Sequence, residues 1–226
     1  MSTYLFDGIS LQNKRTSNMD SLLLKTREIC NGPCLLAVVC DGVGSTTDGA
    51  FASANTVRML DEWFCALEDV ERIGVRLLDN VIKVNAHVAA AAKTNNLDSA
   101  TTLSAIFLAN GAYYIVHVGD SRIYSFDNGF LEILTSDDVS ETGKLTACIG
   151  RYDKISPHYG EGSIDGRIFL LCSDGVYKKV EAAFIASQMK MNNKREMKKA
   201  IKIITDYAIL QGERDNISLA LIKTES

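Results

Sequence analysis

Two segments of this chain share one pattern, an apolar run that stops on Asp-Gly. The first is Leu35-Leu36-Ala37-Val38-Val39-Cys40-Asp41-Gly42, the second Ile168-Phe169-Leu170-Leu171-Cys172-Ser173-Asp174-Gly175. Each reads as a buried strand that delivers a carboxylate at its C-terminal end. Two further aspartates sit beside strand-like runs, Asp120 after Tyr113–Val118 and Asp215 before Ile217–Ile222. Four carboxylates on a rigid sheet suit a hard divalent cation, which takes oxygen ligands. Asp-Gly is also a hairpin signal. Val43–Ala50 does not alternate and runs as a small-residue loop into a helix, which argues against a hairpin at the first copy. Val176–Val180 can alternate, so a hairpin stays open at the second.

The two prolines, Pro33 and Pro157, and the lack of a Ser/Gly/Pro-rich linker favour one domain over residues 1–226. A net charge of −4 gives no electrostatic case for nucleic acid or an anionic membrane. No run approaches the roughly 18–20 apolar residues of a membrane span, and no signal peptide is readable at the N-terminus. Cys40, Cys65 and Cys172 lie in apolar contexts and read as buried, reduced thiols. Cys30 and Cys34 flank Asn31-Gly32-Pro33, but no second ligand pair with matching spacing supports zinc. Reduced thiols point to the cytoplasm, and a monomer is the expected state.

Residues 20–25 and 35–40 read as strands. Ala50, Phe51, Ala54, Val57, Leu60, Trp63 and Phe64 mark an amphipathic helix over 48–66. A longer helix over 69–94 carries Val70, Ile73, Leu77, Val81, Val84, Val88 and Ala92. Strands follow at 101–108, 112–118, 122–126, 130–134 and 168–172, with hairpin turns at Asn110-Gly111, Gly119-Asp120-Ser121 and Asp127-Asn128-Gly129. Helices at 181–190 and 195–210 precede a last strand at 217–222. Strands and helix pairs are segregated, which favours an α+β fold with helices packed on antiparallel sheets.

Taken in order, these segments resemble the metal-dependent PPM-type (type 2C) Ser/Thr protein phosphatases, above all the short bacterial members. Arg15-Thr16-Ser17-Asn18-Met19-Asp20 is similar to the family's opening Arg-x-x-Asn-Glu-Asp, and Asp41-Gly42-Val43-Gly44 to its Asp-Gly-Met/His-Gly. Ala100-Thr101-Thr102 resembles its Gly-Thr-Thr strand, and Val118-Gly119-Asp120-Ser121-Arg122-Ile123-Tyr124 its Val-Gly-Asp-Ser-Arg-x-Tyr. Leu134-Thr135-Ser136-Asp137, Leu145–Gly150, Ser173-Asp174-Gly175 and Asp215-Asn216 match its later motifs. The resemblance implies a four-layer α-β-β-α sandwich with two central, mainly antiparallel sheets flanked by helix pairs. It implies two Mn²⁺ or Mg²⁺ ions bridged by Asp41, with the Gly42 carbonyl on one and Asp174 and Asp215 on the other. Asp120 matches the position of a third, weaker ion. Asp20 acts through water, Arg15 holds the substrate phosphate, and Asn216 orients a neighbouring carboxylate. The implied partners are a phosphorylated Ser/Thr protein and a cognate kinase.

The match breaks in places. Met19 stands where the family has Glu, and a thioether does not serve a hard cation. Val43 offers no proton donor where eukaryotic members have His. Asp138 replaces the His that follows Leu-Thr-x-Asp, and the segment from Asp137 to Leu145 is shorter than the family's flap, which leaves the site more open. His87 and His117 read as structural. The basic stretch Lys190–Lys202 reads as the solvated face of a helix. A cysteine-dependent phosphatase needs Arg six positions after Cys, and no cysteine here has one. A binding domain without catalysis, and a hydrolase of small phosphoesters, are the remaining alternatives.

Overall fold

The computed structural model describes residues 3–29 and 32–225. Cys30 and Asn31 of the expected turn lie outside the described residues. Ten strands form two five-stranded sheets. One runs in the order β1 (Thr3–Leu11), β10 (Ile217–Glu225), β9 (Ile168–Cys172), β6 (Arg122–Asp127) and β7 (Phe130–Ile133). The other runs β2 (Ser21–Ile29), β3 (Gly32–Cys40), β4 (Leu103–Ala109), β5 (Ala112–Val118) and β8 (His158–Ser163). Every neighbouring pair is antiparallel.

The near-continuous apolar strands are explained by burial on both faces. Leu35, Ala37 and Val39 of β3 and Ile106 and Leu108 of β4 meet Phe169 and Leu171 of β9 and Ala220 and Ile222 of β10 between the sheets. The alternate residues Leu36, Val38 and Cys40 face outward onto α1 (Gly49–Cys65) and α2 (Ile73–Thr94). Leu170 and Cys172 of β9 and Leu219 and Leu221 of β10 face the other way, onto α3 (Asp174–Tyr177), α4 (Ala182–Gln188) and α5 (Lys194–Leu210). Two alternating strand faces thus give three apolar interiors and four layers, the expected α+β sandwich. No helix among the described residues is long and apolar enough to cross a membrane.

Several local expectations change. Gly119-Asp120-Ser121 is not a hairpin: β5 and β6 belong to different sheets, so this turn carries the chain from one sheet to the other. No hairpin follows Asp174-Gly175, where the chain turns at once into α3. On α1 the buried stripe is Gly49, Ala52, Ser53, Thr56, Leu60 and Phe64. It is made of small residues because the helix start lies close against backbone, and Ala54 is left exposed. Cys65 is exposed rather than buried, because Phe64 takes the inward position and turns the thiol toward Lys25, 3.0 Å away. The second helix begins at Ile73, after Arg72 adopts a left-handed conformation with φ 48°. β1 and β8 carry no clear strand signal: β1 has Asp7-Gly8 at its centre, and β8 is a polar, glycine-containing edge.

Candidate metal centre

The strand ends converge on a cleft of about 740 Å³ at one edge of the two sheets, lined by Arg15, Asp41, Asp120, Asp174, Lys178 and Asp215 among others. Each carboxylate is placed by a different connection. Asp41 follows the last residue of β3, and its backbone is tied to the start of β4. Its N–H donates to Thr102 Oγ1 at 3.0 Å, and its carbonyl accepts from Thr102 N–H and Thr101 Oγ1, both at 2.9 Å. Thr102 Oγ1 lies 2.7 Å from Ser121 Oγ, which links that corner to the crossing turn that bears Asp120. Gly42 is required by close approach, since a Cβ there would lie 2.5 Å from Met19 O and 2.8 Å from Gly49 backbone.

Asp174 opens α3, and Lys178, one turn later, forms an ion pair with it. Asp215 precedes β10 and receives Arg15 through two nitrogens, with Nε 2.7 Å from Oδ1. The Asn216 side chain holds the loop rather than a carboxylate. Its Nδ2 donates to Gln12 O at 2.8 Å and Ser17 O at 3.0 Å, and its Oδ1 accepts from Met19 N–H at 2.9 Å. The expected orienting contact comes instead from its backbone N–H, which donates to Asp215 Oδ1 at 2.8 Å. Met19 lines the cleft, fixed also by Ser53 Oγ donating to its carbonyl at 2.6 Å.

Asp20 lies just beneath, 8% exposed, and its Oδ2 has no hydrogen-bond partner. Burial pushes its pKa up to about 6; the Ser218 and Ser173 hydroxyls offset part of that rise, and Asp174 and Asp215 add to it. Burial, then repulsion from Asp20, Asp174, Asp120 and Asp215, drives Asp41 well above the usual carboxylate range. Asp120 rises to about 6 by burial and by Asp174. Asp215 is pushed up by burial, but the Arg15 guanidinium and the Asn216 N–H outweigh that and hold it low. Carboxylates that raise one another in this way favour a bound proton or cation.

This donor set fits hard divalent ions: it is all oxygen, it repels itself, and it includes a buried oxygen with nothing bonded to it. Among the described residues no three His, Cys, Asp or Glu side chains are yet gathered closely enough to hold an ion. Asp174 and Asp215 are turned to Lys178 and Arg15 instead.

The shortened segment is a tight loop closed by a Val139–Leu145 bridge, and its Gly143, Lys144 and Leu145 form one cleft wall. Asp138 ties it to the crossing turn, with Oδ2 accepting from Gly119 N–H at 2.9 Å and N–H donating to Gly119 O at 2.7 Å. The other oxygen, Oδ1, shares a hydrogen bond of 2.8 Å with His158 Nε2. His117 is buried between Ser104 and the Gly119 and Ser136 carbonyls, a structural position, and burial lowers its pKa. Lys178 lines the cleft and was not legible as a site residue. The spacing of four between Asp174 and Lys178 was the available signal.

Fold and cleft define an α+β sandwich with a carboxylate cluster where its two sheets meet. The family model for protein phosphatase 2C matches residues 8–204, and the chain belongs to that family. It is 29% identical over 213 residues to the serine/threonine phosphatase stp of Listeria innocua serovar 6a, covering 83% of this chain and 84% of that one. A crystal structure of a bacterial serine phosphatase superposes with a TM-score of 0.89 at 21% identity, over 98% of each chain. The catalytic domain of the serine threonine protein phosphatase PstP in complex with 2 manganese ions gives 0.84 at 23% identity, over 100% of each chain. At these identities the two structures establish the shared fold.

Proposed function

We propose that this chain is a metal-dependent phosphatase that removes phosphate from serine and threonine in proteins, and that it works with two Mn²⁺ or Mg²⁺ ions. One observation carries the reading: Asp41, Asp120, Asp174 and Asp215 line one cleft with Asp20 beneath it, and burial and like charge raise the proton affinity of Asp20, Asp41 and Asp120, with an arginine at the cleft's edge. Asp41, the Gly42 carbonyl, Asp174 and Asp215 would hold the ions, with Asp20 beneath them acting through water. Asp120 stands on the side that Lys178 covers and is assigned to neither ion. Bound there, two divalent ions would supply an activated water at neutral pH and neutralise charge on the phosphoryl oxygens. Arg15 binds the substrate phosphate: its planar fork already grips a carboxylate by two nitrogens, the geometry a phosphate also accepts. Asn216 keeps Arg15, Met19 and Asp20 in register with Asp215. Val43 gives no proton donor at the cleft, so the leaving alkoxide takes its proton from water. The substrate class follows the names of the relatives, and a Ser/Thr kinase with the same targets is the implied partner activity.

The test is hydrolysis of p-nitrophenyl phosphate and of a phosphoserine peptide by the full chain. Activity is expected with Mn²⁺ or Mg²⁺, to vanish in EDTA and to return when Mn²⁺ is restored. Activity that survives chelation excludes the metal mechanism; no hydrolysis with excess Mn²⁺ leaves a binding domain.

A further inference from the structure

The chain treats the two sides of its carboxylate cluster differently. Arg15 grips Asp215 by two nitrogens, and that carboxylate is 37% exposed. Lys178 is tied to Asp174 by its backbone as well, its N–H capping α3 on Asp174 O at 3.1 Å. Its ammonium bonds Asp174 Oδ2 and lines the same cleft as Asp41 and Asp120. The spacing of four residues is that of an ordinary helix-surface pair, as in Arg58–Glu62 and Lys202–Asp206. In those pairs the acid is 62% and 59% exposed, whereas Asp174 is 18% exposed inside the cleft.

Asp120 cannot relieve the repulsion by moving away. Its turn is pinned through Gly119 to Asp138, and Gly119 packs so closely on Thr102 that a Cβ would lie 2.7 Å from Cγ2. It therefore needs positive charge delivered to it. Lys178 brings that charge by position: its ammonium bonds Asp174 Oδ2 within the cleft that Asp120 also lines. A protonated lysine has no lone pair to offer a metal and repels one placed beside it.

We propose that Lys178 is a built-in cation for the Asp120–Asp174 side of the cluster, supplying from the chain the charge that a further divalent ion would bring, so that the cleft takes two such ions and not three. The proposal rests on the metallophosphatase reading and goes beyond it, since it assigns Asp120 a partner within the protein.

The experiment is calorimetric titration of the full chain with Mn²⁺ alone at neutral pH, with each variant first shown to be folded by circular dichroism. The wild type is expected to bind two ions. Lys178→Gln should gain an additional, weaker site that is lost again in Lys178→Gln/Asp120→Asn, and Lys178→Arg should stay at two. Asp120→Asn in the wild-type background, which leaves Lys178 in place, should not lower the count. Three ions on the wild type, an unchanged count in Lys178→Gln, or a count that drops in Asp120→Asn overturns the proposal while leaving a metal enzyme intact. No Mn²⁺ bound by any variant removes the metal reading together with it.

Discussion

Asp20 shows how one side chain couples acidity to metal binding. Its folded pKa of about 6 stands above the ordinary carboxylate value of about 3.9. Protonation therefore favours the fold of the metal-free protein, and this contribution is present at low pH and lost as pH rises through about 6. A divalent ion must displace that proton. The rise in Tm that Mn²⁺ produces at neutral pH should thus fade as pH drops through about 6, well before exposed carboxylates of ordinary pKa titrate. Differential scanning calorimetry with and without Mn²⁺ reads this directly. An undiminished Mn²⁺ effect down to roughly pH 4.5 would place the ion elsewhere than on Asp20 and its neighbours.

Among the elements, the junction of β3 with α1 leaves no slack. Gly42 and Gly49 face one another with no room for a side chain: a Cβ on Gly49 would lie 2.7 Å from Gly42 C. Gly42→Ala should therefore cost about 1–3 kcal/mol in urea unfolding, the usual scale of overpacking, and shift Asp41 enough to remove most of kcat. Wild-type kcat in a stably folded Gly42→Ala protein would show that the packing does not position Asp41. The long elements were legible in the sequence because their periodicity is strong: α2, for example, buries Ile73, Leu77, Val81, Val84, Val88 and Ala92, as the spacing predicts. What escaped is what periodicity does not encode. Tyr4-Leu5-Phe6-Asp7-Gly8 is a third apolar run ending on Asp-Gly, yet it continues as strand, because Gly8 fits under Leu24 and against Leu219 O. The stripe of α1 was misread because small and polar Gly49, Ser53 and Thr56 face inward where larger apolar residues were expected.

At the scale of the whole molecule, the interior between the sheets is one of three that hold the layers together. Phe169 is fully buried there and meets Tyr113 edge to face at 5.3 Å. Phe169→Ala should cost about 3–5 kcal/mol in urea unfolding while leaving KM of the folded fraction nearly unchanged. A cost below about 1 kcal/mol would show that this interior collapses easily around the loss. The candidate site was readable from Arg15 to Asn216 because each aspartate sits in its own short motif. That Asp120 rides on a crossing between sheets depends on tertiary packing and had no local signature, and the one local hint of Lys178 was its spacing of four from Asp174. The cluster also draws on both extremes of the chain. Arg15 and Asp215 are 200 residues apart, and Asp215 and Asn216 gain their positions as β10 slots between β1 and β9. Assembly of the candidate centre thus carries the loop-closure entropy of joining distant segments. On the proposed function, a molecule that lacks its last strand is expected to be silent rather than weak, so that activity would certify that these two distant segments have met.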